Sequence, residues 1–224
     1  MTTSRTIPIA ILFGGVIVAL AVYLSVPRKA PSTSSGRGNP SLVRPVDSSD
    51  HIFGSPTAPI MIVTYSDFDC SYCKTFDATM RQVLADAGVD GRVAWVHRQF
   101  PLTELHPNAG KHAAAAECVA KTAGNDAFWK FADLLFNNQP TDSSKYGALA
   151  TQAGASTEAF ATCYANVPAE ITARIAADRQ NALDAGAVGT PYSLVVVQGK
   201  APYVMDGAYT ADAIKLIIDQ APVK

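Results

Sequence analysis

The chain has 224 residues, of which 48% are hydrophobic and 17% charged, with a formal net charge of −1. That apolar content excludes a disordered chain, and the near-neutral balance excludes a global basic field of the kind that binds nucleic acid. Four cysteines are too few for a small disulfide scaffold, which leaves one domain with a real core or two small ones.

Ile7 to Val26 is a run of 20 uncharged residues, long enough as a helix to span about 30 Å of bilayer core. It exceeds the roughly 7–15 residues of a signal-peptide apolar region. Residues 1–26 therefore read as a membrane anchor in preference to a cleaved signal sequence, although Ala19-Leu20-Ala21 has a small-x-small pattern. Arg5 lies on one side of the run and Arg28, Lys29, Arg37 and Arg44 on the other. A simple count of these puts the following chain in the cytoplasm, but long domains translocate largely regardless of charge. The cysteine chemistry below argues for translocation. Residues 27–50 hold four prolines, six serines and no aromatic residue, a composition that cannot build a core and reads as a disordered linker. A flexible chain of that length has an end-to-end distance of about 25–30 Å.

From His51 the pattern is globular, over residues 51–220. Ile60–Tyr65 is a short β-branched run, predicted as a buried strand. A helix is predicted from Cys70 to about Ala87, and a second strand over Val93–His97, ended by Phe100-Pro101. An alanine-rich region, about 106–187, has helical periodicity and no clear strand, with breaks near Gly124-Asn125-Asp126, Asn138-Gln139-Pro140 and Gly154. It predicts four or five helices inserted between two halves of a sheet. Leu194–Val197 and Tyr203–Met205 are predicted as strands around a turn at Gly199, and Ala211–Gln220 as a closing helix. Strands separated by helices indicate an α/β layer.

Cys70-Ser71-Tyr72-Cys73 lies directly after a predicted strand and opens a predicted helix. Unpaired backbone N–H groups and the helix dipole at that end favour an anion, and thiol pKa values in such motifs fall to roughly 3.5–7.5. Stabilising the reduced form makes the disulfide a stronger oxidant. A structural zinc site needs four ligands, usually in two close pairs, and neither Cys118 and Cys163 nor His97, His106 and His112 supply them at that spacing. A purely structural bond across three residues closes too short a loop to stabilise much. The pair is read as redox-active, with no metal and no cofactor. Gly189-Thr190-Pro191-Tyr192 precedes the third strand. It reads either as a plain loop boundary or as a cis peptide whose proline leaves a backbone edge open to an extended substrate. On the second reading Thr190 and Pro191, with Tyr72, contact substrate.

Together these segments resemble the DsbA-like thiol–disulfide oxidoreductases of the thioredoxin superfamily. The resemblance rests on Asp67-Phe68-Asp69-Cys70-Ser71-Tyr72-Cys73, Phe100-Pro101-Leu102, Leu105-His106-Pro107-Asn108-Ala109, Phe128-Trp129, Leu134-Leu135-Phe136 and Gly189-Thr190-Pro191, in that order across the globular part. It implies a thioredoxin-like fold with an inserted helical subdomain, behind an N-terminal transmembrane helix and flexible linker. It implies Cys70 as nucleophile, Cys73 as resolving cysteine and Pro191 as the cis-proline. It also implies cysteine-containing protein substrates and a membrane redox partner for recycling. The expected protein is a single-pass protein of the bacterial cytoplasmic membrane with a periplasmic domain that introduces disulfides. The alternatives are a reductase or isomerase using the same cysteines, or a membrane-tethered chaperone-like binding module. The sequence departs from the family at Ser71, where proline is usual, and at Tyr72, where the strongest oxidants carry histidine.

Cys118 and Cys163 lie in helix-like segments, and an even count in an oxidising compartment implies pairing. They are expected as a second, structural disulfide; the alternative is two separate buried thiols, which pack well in cores. Trp95 and Trp129 are read as core, His106 and His112 as a helix-start and a surface residue with no role, and Asp67 and Asp69 as solvent-facing.

Overall fold

A computed structural model describes residues 38–87 and 91–221. The anchor expected at 1–26 and the linker before Gly38 lie outside these residues. Among the described residues no helix is long and apolar enough to cross a membrane.

Among the described residues five strands form one mixed sheet: β1 (His51–Phe53), β2 (Ile60–Ser66), β3 (Val93–Gln99), β4 (Tyr192–Val197) and β5 (Tyr203–Asp206), in the order β1-β3-β2-β4-β5. β2 is central. It runs parallel to β3, with Ile62 opposite Trp95 and Thr64 opposite His97, and antiparallel to β4, with Ile62 opposite Val195. β1 and β5 close the edges in antiparallel pairs. A strand covered on both faces needs apolar residues at successive positions, and Ile60-Met61-Ile62-Val63 supplies them. The three-residue β1 escaped the sequence reading because it is too short to show a period. β3 extends two residues past its predicted end, through Arg98 and Gln99, because both buried side chains find partners.

The helices are α1 (Ser71–Ala87), α2 (Ala109–Ala123), α3 (Asn125–Asn137), α4 (Tyr146–Ala153), α5 (Thr157–Ala165), α6 (Ala169–Asp184) and α7 (Ala211–Gln220). In α1 the buried positions Cys73, Phe76, Met80, Val83 and Leu84 recur at helical spacing and form one apolar stripe. They meet Ile60, Ile62, Trp95 and Val195 in one core, together with α2–α5 and α7. The opposite face of the sheet, with Val63, Tyr65, Val96 and Leu194, packs on Ala182 and Ala185 of the α6 region. The helical insertion is thus not a separate lobe throughout: its last helix covers the second face of the sheet. At Gly154, φ of 106° ends α4 in the left-handed region that a side chain disfavours. Cys118 of α2 and Cys163 of α5 form a disulfide with a Cα–Cα distance of 5.8 Å.

The disordered linker expected over 27–50 is corrected for residues 38–50, which dock on α6 and β3. Asn181 donates to the Leu42 carbonyl at 2.7 Å and accepts from the Arg44 N–H at 3.0 Å. Fully buried Arg98 grips Asp50 with two bonds of 2.9 Å and donates to the Arg44 and Pro45 carbonyls. Arg44 in turn reaches Asp50 and Asp178. Gly38 lies so close to Gly186 that a Cβ would stand 2.4 Å from its backbone. This segment is held by polar bonds to residues some 50 to 140 positions away, which local composition does not register.

Candidate functional site

β2 delivers the chain into the turn Asp67-Phe68-Asp69, and Cys70 stands immediately before the first residue of α1. The Cys70 N–H donates to the Asp67 carbonyl at 3.2 Å, and the Lys74 N–H to the Cys70 carbonyl at 3.1 Å. Cys70 therefore sits at the helix start, where backbone N–H groups have no helical acceptor. Both Cys70 and Cys73 are free thiols; Cys70 is 6% exposed and Cys73 1%, so the first cysteine is the more accessible of the two.

Their acidities are driven apart. A hydrogen bond from the Cys73 thiol brings Cys70 down to about 5 against the cost of burial, helped by Thr190 and by the backbone N–H groups of Cys73 and Tyr72. Burial, then the neighbouring Cys70, pushes the Cys73 thiol well up. Across the site the Thr190–Pro191 peptide is cis, and the Cys70 thiol reaches the Thr190 carbonyl at 3.5 Å. The buried Thr190 hydroxyl makes no well-formed hydrogen bond of its own and favours the thiolate at both sulfurs. Tyr72, between the two cysteines, is 69% exposed. Thus Cys70, Cys73, Thr190 and Pro191 converge, with Tyr72 beside them. Cys118 and Cys163 form their own bond elsewhere. Among the described residues no three His, Cys, Asp or Glu side chains cluster in a way that would hold a metal.

The turn before Cys70 is anchored at each of its three residues, by the loop that follows β3 at Asp67 and by the helical layer at Phe68 and Asp69. The Asp67 carboxylate is buried and accepts the N–H groups of Asp69 and Leu102, both at 2.8 Å, and lies 2.9 Å from His106 Nδ1. Phe68 stacks on His97 at 5.0 Å and meets Phe136 at 5.1 Å. The side-chain amide of Gln139 donates to the carbonyls of Phe68 (2.6 Å) and Cys70 (3.2 Å). Asp69 Oδ1 lies 2.8 Å from Nε2 of His112, whose Nδ1 is 2.5 Å from the Tyr146 hydroxyl. These contacts correct the reading of Asp67 and Asp69 as solvent-facing and of His106 and His112 as residues without a structural part; His112 is fully buried. Gln139 was missed altogether. The available signal was composition: polar residues flanking an apolar one directly before a reactive cysteine need partners if they are buried. Trp95 and Trp129 are buried as expected. His97 is fully enclosed, with Nε2 unpartnered, and burial followed by the charge of His51 brings it down to about 3, so it stays neutral.

A family model described as thioredoxin matches residues 47–220. A relative named Na(+)/H(+) antiporter NhaA 3, from Salinispora tropica, is 36% identical over 136 residues, covering 58% of this chain and 20% of that protein. The chain thus spans a fifth or less of the antiporter relatives it matches. A probable disulfide bond formation protein D from Bacillus cereus is 28% identical over 133 residues, covering 59% of this chain and 60% of that protein. The crystal structure of Wolbachia pipientis α-DsbA1 superposes with a TM-score of 0.68 at 20% identity, over 81% of this chain and 94% of the other. At that identity the likeness is one of fold.

Proposed function

The chain belongs to the thioredoxin family, and from that premise we propose that it is a thiol–disulfide oxidoreductase acting through Cys70 and Cys73 on cysteine-containing proteins. The observation that carries this reading is the placement of Cys70 at the start of α1, where the Cys73 thiol and two backbone N–H groups converge on one accessible sulfur. In the oxidised enzyme a substrate thiolate attacks the Cys70 sulfur. The Cys70–Cys73 bond breaks, a substrate–Cys70 bond forms, and the electron pair leaves on Cys73, which takes up a proton because its thiol is pushed up. The second substrate thiolate then attacks the substrate sulfur of this mixed disulfide, and Cys70 departs as a thiolate. Thiols of low pKa make good leaving groups, so a Cys70 thiol at about 5 favours oxidation of substrate over its reverse.

A second reading, reductase or isomerase, draws support from Ser71 and Tyr72, which place no charge between the cysteines. The equilibrium of the enzyme with glutathione separates the two. A reduction potential of about −120 mV supports the oxidase, one of about −180 mV an isomerase, and one near −270 mV the reductase. Failure to turn over a dithiol peptide in either direction would leave a binding module. We place the domain outside the cytoplasm, tethered by the apolar run of Ile7–Val26 and re-oxidised by a membrane redox partner. Support comes from the Cys118–Cys163 disulfide, since such bonds persist in oxidising compartments.

A further inference from the structure

Two carboxylates, Asp67 and Asp69, stand within three residues of the sulfur that must become an anion. Left alone they oppose a Cys70 thiolate, since a nearby like charge disfavours ionisation. Ser71 and Tyr72 carry no charge to offset them. Each carboxylate instead meets a histidine from the polypeptide that follows β3: His106 Nδ1 lies 2.9 Å from Asp67 Oδ2, and His112 Nε2 lies 2.8 Å from Asp69 Oδ1. The two histidines differ in kind. His112 is closed off between Asp69 and Tyr146, whereas His106 keeps about a quarter of its side chain in water and can exchange its proton freely.

We propose that His106, held against the foot of the Cys70 turn by buried Asp67, is a positioning residue that sets the charge felt by the Cys70 sulfur and so couples thiol exchange to histidine protonation. The inference rests on the dithiol reading above. Against the effect of burial, Asp67 raises the His106 pKa by hydrogen bond and charge, with Cys70 and then Asp69 adding to it. The attraction is mutual: the thiolate that holds the His106 proton is itself held by it. Other charges nearby have partners of their own. Glu104, on the same loop, pairs with Arg179 of α6 at 3.6 Å, and Lys111 of α2 donates to Asn108. Lys74 lies one turn into α1. As pH rises and His106 loses its proton, Asp67 is left uncompensated and the thiolate loses support.

The test is the reaction of reduced full-length protein with iodoacetamide from pH 4 to 9, read at Cys70 by mass mapping, with the glutathione equilibrium measured alongside. His106→Gln should raise the Cys70 pKa by about half a unit to one unit. That is about 3- to 10-fold less thiolate below the transition and the same factor toward the disulfide in glutathione. His106→Lys, which keeps the charge, should stay within twofold of the wild type. The wild-type profile should carry a second inflection that His106→Gln lacks. A His106→Gln curve that superposes on the wild type, or equal shifts in the Gln and Lys variants, overturns the proposal. Because alkylation needs no substrate, it reads independently of turnover. A shifted curve without dithiol oxidation sinks only the proposed function, and turnover with an unshifted curve sinks only the role of His106.

Discussion

The four cysteines divide into two pairs governed by different physics. Cys118 and Cys163 are 45 residues apart in sequence and bridge α2 to α5 within the helical layer. Their bond closes a long loop, and its worth comes from the freedom it removes from the unfolded chain, about 4 kcal/mol by the chain-entropy estimate. Cys70 and Cys73 enclose too short a loop for that gain to count. Whether they bond is decided by how well the folded protein stabilises the free Cys70 thiolate, which the helix start, the Cys73 thiol, the backbone N–H groups and Thr190 do against the cost of burial. The same element is thus a structural strut in one place and a reagent in another, and loop length and the surroundings of the sulfur make the difference.

The comparison breaks if the pairs are interchangeable. Cys70→Ala should abolish exchange, by at least about 10³-fold as for loss of an enzymatic nucleophile, while Cys73→Ala should accumulate mixed disulfides through Cys70 in a dithiol-peptide assay. The double change Cys118→Ala with Cys163→Ala should leave exchange within a few-fold and lower unfolding free energy by about 2–4 kcal/mol in a denaturant titration. Loss of exchange without loss of stability would reverse the assignment.

A smaller effect sharpens the contrast. The Cys70 thiol falls from 9.0 to about 5 on folding. A depressed acid contributes stability above its unfolded pKa and loses it as pH falls through the folded one. At pH 7 about half of that window is realised. The dithiol form should therefore be more stable than the disulfide form by at most about 3 kcal/mol, less whatever solvent screening removes at this partly open site. The difference should vanish towards pH 5, as read by thermal melts of the two forms. Smallest is Gln139→Ala, which removes the bonds to the Phe68 and Cys70 carbonyls. It should cost about 0.5–1.5 kcal/mol, measured by denaturant midpoint, with little change at the Cys118–Cys163 end.

Much of this was legible from sequence because it is local. A β-branched run followed by C-x-x-C is a strand feeding a helix start, and the alanine-rich helices broke at Gly124 and Gly154 as their backbone requires. The residues that read wrongly are those whose partners are distant in the chain. Asp67 and Asp69 look like solvent-facing turn residues until His106 and His112 are brought beside them by the packing of α2. The stretch from Gly38 to Asp50 looks like a tether until Arg98, Asp178 and Asn181 are placed under it. Burial of a polar group is decided by tertiary partners, and a single sequence carries no record of which partner arrives.

Among the four sulfurs, Cys70 alone is a reactive thiolate near neutral pH. This is tested most directly by brief alkylation of mildly reduced protein at about pH 6, followed by mass mapping of all four cysteines. Label is expected on Cys70, little on Cys73, whose thiol is pushed up by burial, and none on Cys118 or Cys163, which remain bonded. Label appearing first on Cys73, or on Cys118 and Cys163 together with Cys70, would contradict it.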